Sequence, residues 1–185
     1  HFMKKLLIPM LLLIGSLTHA QNAYFFPSGV TFDPAIPTPE QFLGYPIGDW
    51  HTRHDRIVSY FQELARVSTK AHFQIIGYTN ERRPQVVLTI TSPENYLRIE
   101  DIRKEHLKLA DPTQASRLSS MPVIITHGYN VHGNEPSSSE AAMLTAYYLI
   151  AAQGEFADRT LREAVIHIDP NYNPDGRDRH SNWAN

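Results

Sequence analysis

Thr126-His127-Gly128-Tyr129-Asn130-Val131-His132-Gly133-Asn134-Glu135-Pro136 is the stretch on which the reading of the chain turns. Before it, Met121 to Thr126 is a short apolar run that reads as a buried strand. After it, Pro136 to Ala152 reads as a helix, begun by proline in its first turn and closed by Gly154. A loop between a buried strand and a helix is where layered α/β proteins carry their chemistry. Within the loop, His132 and Glu135 stand three apart. In a tight turn entering a helix, side chains at that spacing point to one side, so an imidazole and a carboxylate can share a cation, with Gly133 relieving the crowding between them. Spacing alone allows a plainer reading: His132 as a polar loop residue and Glu135 as a carboxylate favoured by the helix dipole. His127 reads as a strand-end residue bonded to backbone, and Glu140 as charge placed for the helix N-terminus. Neither is read as a ligand.

Outward from this loop, the chain alternates strands and helices. Ile57, Val58, Phe61, Leu64 and Ala65 recur at helical spacing, and Thr52 with Asp55 looks like the capping pair of that helix. His72 to Thr79 and Gln85 to Thr91 are β-rich runs separated by Asn80-Glu81-Arg82-Arg83-Pro84, which predicts neighbouring strands joined by a polar turn. Asn95 to Leu109 predicts a surface helix ending near Pro112. Glu155 to Ala164 predicts a short amphipathic helix. Val165 to Ile168 is a further apolar run, followed by the turn-forming Asn173-Pro174-Asp175-Gly176. The expected fold is α/β: a three-layer domain with a mixed, mostly parallel central sheet flanked by helices. About four strands occur before the sequence stops at Asn185 in polar residues. A sheet ending there would keep an open edge, so the expectation is the N-terminal part of a larger domain.

The sequence has 185 residues, 42% hydrophobic and 19% charged, with a formal net charge of -2. This balance offers no basic excess for phosphates or anionic lipid, which argues against nucleic acid as a partner. Cysteine is absent, which excludes disulfides and thiolate sites, so any metal must rest on His, Asp or Glu. Met3 to Ala20 carries Lys4 and Lys5, an apolar core from Leu6 to Ile14, and Thr18 and Ala20 at the small-residue positions before Gln21. That is the pattern of a secretory signal peptide, too short in its apolar run to span a bilayer, which takes roughly 20 residues. The expected organisation is therefore a signal peptide over 3–20, a Pro-rich lead-in over 21–47 and the N-terminal part of a larger α/β domain over 48–185. The protein is expected to be exported, to the periplasm or the medium, with no stable membrane span after cleavage.

HGYNVHGNEPSSSEAAM followed by NYNPDGRDR resembles the zinc carboxypeptidases of the carboxypeptidase A type (peptidase family M14), over roughly Thr52 to Asn185. In that family strand, His-x-x-Glu, helix, strand and Asn-Pro-Asp-Gly follow in this order. The joint occurrence is far more specific than either motif alone. The resemblance implies that His132 and Glu135 bind one zinc ion and that a third ligand, a later histidine, falls beyond Asn185, since His180 comes too early. It also implies a glutamate general base beyond Asn185, so that no catalytic residue lies within the chain. The implied activity is zinc-dependent hydrolysis of the C-terminal peptide bond of a peptide substrate by metal-activated water. Arg177 and Arg179 follow the Asn-Pro-Asp-Gly turn, which by resemblance aims an arginine at the scissile carbonyl, but as long side chains on a loop they read first as solvated charges. As it stands the chain is expected to be inactive, because two ligands cannot assemble the site. Two other readings fit the same residues: a zinc-dependent deacylase or amidohydrolase with this ligand pattern, and a non-catalytic exported binding domain. Oligomeric state is left open.

Overall fold

The computed structural model describes residues 24–113 and 121–185, so the expected signal peptide, 3–20, lies outside the described residues. Two compact units are distinguished, His1–Thr31 and Phe32–Asn185. Of the first, residues 24–31 are described, with the Tyr24 and Phe25 rings edge to face at 5.0 Å. Among its described residues the second holds a four-stranded sheet and seven α-helices.

The Pro-rich lead-in is not uniformly extended. Pro39–Leu43 forms a short helix, α1, because Thr38 and Gln41 make a reciprocal capping box and Gly44, at φ 85°, ends it in the left-handed region. Helix α2, His54–Val67, buries Ile57, Val58, Phe61 and Leu64 along one face, as the periodicity predicts. Its N-cap is Arg53, which makes no side-chain cap bond, and Thr52 is buried instead of capping.

Strands β1, Ala71–Tyr78, and β2, Pro84–Ile90, pair antiparallel from Ala71↔Ile90 to Tyr78↔Pro84 across the polar turn. The expected helix over 95–109 is broken at Arg98 into α3, Pro93–Leu97, and α4, Ile99–Leu107. Ser92 caps α3, accepting from the Asn95 amide, and so starts it earlier than the apolar pattern does. Strand β3, Val123–Gly128, leads to α5, Ser137–Ala151, then α6, Glu155–Glu163, then β4, Ala164–Asp169, and finally α7, Pro174–Ala184.

The strand order is β1-β2-β4-β3. The sheet is mixed and flanked by helices, as expected. Within the described strands its parallel part is the β3–β4 ladder, while β1–β2 and β2–β4 run antiparallel. The early hairpin explains the β1–β2 ladder, since a five-residue turn returns the chain antiparallel. The core joins Phe61 and Leu64 of α2, Leu88 and Ile90 of β2, Met143 and Ala146 of α5, and Val165 and Ile168 of β4, all fully buried. β4 is covered on both sides and reads as a continuous apolar run for that reason. Its pairing with β3 from Val123↔Ala164 to Gly128↔Asp169 brings two carboxyl ends side by side, and both motifs leave the sheet there.

Candidate metal site

The loops that follow β3 and β4 are fastened to each other by main-chain bonds. The Tyr129 amide donates to the Asp169 carbonyl at 3.0 Å, the Tyr172 amide to the Tyr129 carbonyl at 2.8 Å, and the Asn173 amide to the Asn130 carbonyl at 3.2 Å. Asn130 adopts φ 56°, a left-handed conformation tolerated by asparagine, and turns the chain away from β3. Its amide donates to Ser138 Oγ at 2.7 Å, which ties the turn to the first residues of α5. The loop then closes on itself, the Glu135 amide donating to the His132 carbonyl at 3.0 Å.

This turn brings the two expected ligands together. His132 Nδ1 and Glu135 Oε1 lie 3.2 Å apart, with side chains 68% and 64% exposed. Two donors around a tetrahedral zinc ion, each at roughly 2.0–2.1 Å, are separated by about 3.3 Å. One imidazole nitrogen and one carboxylate oxygen at this spacing therefore fit a borderline cation such as zinc, and they equally fit a hydrogen bond. His132 lines a cleft of about 410 Å³ whose walls also include Asn134, Asn173, Arg179, His180 and Trp183. His180 shares this cleft, its ring 5.0 Å from that of His51. Among the described residues no group of three His, Asp or Glu side chains stands ready to hold a metal. His127 is exposed on β3, paired in register with Ile168.

The Asn-Pro-Asp-Gly segment is a helix start and not a free turn. Asn173 is the N-cap of α7, accepting from the Gly176 amide at 2.9 Å, and Pro174 occupies the first turn. Asn173 Nδ2 also donates to the Val131 carbonyl at 3.2 Å, so one side chain caps the second motif and holds the first. Gly133 lies where the two motifs touch. A Cβ there would come within 2.0 Å of the Gly176 carbonyl carbon and 2.3 Å of the Arg177 amide. Glycine is required by this backbone approach, not by crowding between His132 and Glu135.

Two sequence expectations are corrected here. Arg177 is not a solvated loop charge. Its side chain has no exposed surface, and it donates from Nε to the Thr52 carbonyl at 2.8 Å, from Nη1 to the Pro136 carbonyl at 2.7 Å, and from Nη2 to Glu140 Oε1. Glu140 is likewise more than helix-terminal charge, since it is buried and also accepts from the Thr52 amide at 2.8 Å. Arg179 does remain exposed at 82%, 3.6 Å from Glu81.

Sequence reading missed Arg83 altogether. From the β1–β2 turn it reaches Asp178 at 2.6 Å, Asp175 at 2.8 Å and Glu81 at 2.5 Å, pinning the hairpin to the start of α7. Bonds to Glu81, Asp178 and Asp175 hold its guanidinium more firmly protonated. For Asp175, desolvation pushes the carboxyl up, but bonds from Thr79 and Arg83 outweigh it and the net shift is downward. Behind the loops, Asn130 Nδ2 donates to Asn171 Oδ1 at 2.7 Å, and Asn171 Nδ2 meets His54 Nδ1 at 2.9 Å. Burial lowers the His54 pKa, and burial lifts the Asp169 carboxyl to about 6. Sequence offers no signal for this role, because two of the three acceptors of Arg83 lie 92 and 95 positions away and the third, Glu81, belongs to the same polar turn.

Comparison with known proteins agrees with this architecture. Among solved structures, thrombin activatable fibrinolysis inhibitor superposes with a TM-score of 0.50 at 16% identity, covering 80% of this chain and 30% of that one. A putative carboxypeptidase from Burkholderia mallei gives 0.49 at 16% identity, covering 69% and 27%. The carboxypeptidase A of Helicoverpa armigera gives 0.48 at 20%, covering 70% and 28%. This chain thus spans less than a third of the length of each. At such identity the first of these likenesses speaks for the fold alone. No curated protein matches by sequence. The sequence model of the zinc carboxypeptidases matches residues 57–185, more than half of the chain and both motifs, and the chain therefore belongs to the zinc carboxypeptidase family.

Proposed function

We propose that this chain supplies two of the metal ligands, His132 and Glu135, of a zinc-dependent metallocarboxypeptidase that removes C-terminal residues from peptides and is exported. The observation that carries the reading is the 3.2 Å separation of His132 Nδ1, which lines an open cleft, and Glu135 Oε1, close to the spacing of two zinc ligands. Family membership supports the metal and the hydrolytic class. When bound, the cation supplies an activated water and an electrophile for the peptide carbonyl. The chain's own residues hold the ligands at the carboxyl ends of β3 and β4, and Asn173 keeps the two loops in contact. The reading places a third ligand and a general base outside the described residues, among which no group of three His, Asp or Glu side chains stands ready to hold a metal. No described helix is long and apolar enough to cross a membrane.

The test is zinc content by metal analysis on the reading frame that carries this chain, expressed to its own stop codon. Wild type is expected to carry one zinc per chain, and His132→Ala and Glu135→Ala to lose it together with chelator-sensitive release of C-terminal residues from a peptide. Equal zinc in wild type and both variants rules out these ligands. Zinc bound as proposed, with acyl groups released from free amino acids and peptides left intact, assigns the site to a deacylase.

A further inference from the structure

The two proposed ligands are exposed, yet the backbone that carries them is held from beneath by a side chain with no exposed surface. Arg177 reaches the His-x-x-Glu loop at both ends. Its own amide, which donates to the Asn173 carbonyl at 2.9 Å, lies against Gly133, one residue after His132. Its guanidinium donates to the carbonyl of Pro136, one residue after Glu135. The remaining donors go to the Thr52 carbonyl and to Glu140, whose Oε1 accepts from the Thr52 amide as well. The planar fork of an arginine can serve three acceptors in three directions, whereas a lysine ammonium offers one point.

As a stabilising device this pair is inefficient. Desolvating two charges offsets much of their attraction, and Glu140 Oε2 is buried with no hydrogen-bond partner. What the arrangement does achieve is a fixed position for the Pro136 carbonyl, one residue after Glu135, from a residue whose own amide faces Gly133. Ligand spacing is thereby set before any cation arrives, and the entropy of ordering the loop is not charged to binding.

We infer that Arg177, paired with Glu140, is a positioning residue of the metal site, governing zinc affinity without touching the ion. The inference rests on the metal reading of His132 and Glu135. The experiment measures zinc dissociation constants by competition with a chromophoric chelator, together with the visible spectrum of the cobalt-substituted protein, in the same full reading frame. Arg177→Met/Glu140→Met removes both charges at once, so no buried charge is left unpaired and the fold is expected to persist by circular dichroism. Its zinc dissociation constant is expected to rise by roughly 10- to 100-fold, the usual effect of losing a group that orients a ligand, and its cobalt absorption bands to weaken. Arg177→Lys, which keeps the charge and loses the fork, is expected to shift affinity in the same direction. Folded variants that bind zinc within twofold of wild type overturn the inference. So does failure of both to fold, because the role is then in folding alone. His132→Ala in the same assay separates the two ideas. Unchanged affinity in that variant sinks the metal reading, and weakened affinity there with unchanged affinity in the Arg177 variants sinks only the positioning role.

Discussion

At Gly133 the missing side chain matters because of what lies opposite, the backbone of Gly176 and Arg177. A methyl group cannot be accommodated by a flexible tip moving aside, since both close neighbours are main chain. Gly133→Ala is therefore expected to lift the loop from α7, destabilise the protein by about 1–3 kcal/mol as overpacking does, and weaken zinc binding. Urea unfolding and chelator competition measure the two effects. Asp169 makes a prediction of a different kind. The residue is 3% exposed, and its carboxyl is raised from 3.8 to about 6 by burial, against a bond from the Asn171 amide. Between those values the native state binds the proton more strongly than the unfolded chain, so this group's contribution to stability is present at low pH and is lost as pH rises towards and through 6. Asp169→Asn is expected to gain stability relative to wild type across that window and to hold a constant difference above it. Paired urea titrations at several pH values measure this, and a difference that shrinks with rising pH contradicts it.

Helix α7 shows why element-level reading went astray around the second motif. Its buried residues are Pro174, Arg177, Asp178 and Ser181, at spacings of three, one and three, which is a proper helical stripe made mostly of polar residues. A search for apolar periodicity passes over such a stripe, and the segment then reads as a loop with solvated charges. The helix is secured by its cap and by acceptors elsewhere: Asp178 takes bonds from the His54 amide at 2.8 Å and from Arg83 at 2.6 Å. Asn173→Ala removes both the cap and the link to Val131, and is expected to cost about 1 kcal/mol of stability, read as a lower urea midpoint. Helix α2 offers the opposite case. Arg53 caps it without a side-chain bond, and its pairing with Asp55 is exposed and weak. Arg53→Ser is expected to stabilise the protein by about 0.5–1 kcal/mol, and an unchanged or lower urea midpoint would contradict the assignment of that cap.

For the whole molecule, the site is built where two parallel strands end and where three separate pieces of chain converge: the loop after β3, the start of α7, and the β1–β2 turn through Arg83. Zinc that binds only the folded form must raise its stability by mass action, by about 2.7 kcal/mol at a free concentration 100 times the dissociation constant. Thermal unfolding of the full reading frame is accordingly expected to shift upward with added zinc and to fall back with chelator. The shift should vanish in His132→Ala. A zinc-dependent rise that persists in that variant would place the metal elsewhere.

The sequence by itself determined the layered α/β character, the strand that ends at the His-x-x-Glu loop, the helix that follows, and the pairing of that motif with Asn-Pro-Asp-Gly. Each is written in local spacing, in apolar period or in a turn residue, and needs no distant partner to be recognised. Tertiary structure alone decided the balance of parallel and antiparallel ladders, the burial of Arg177 with Glu140, the reach of Arg83, and the reason for glycine at 133. Arg177 and Glu140 are 37 positions apart, and Arg83 and Asp178 are 95. Charged residues carry no periodic signal of burial. They can leave water only when a partner supplied by the fold replaces it, and that partner is invisible until the strands have set the two loops side by side.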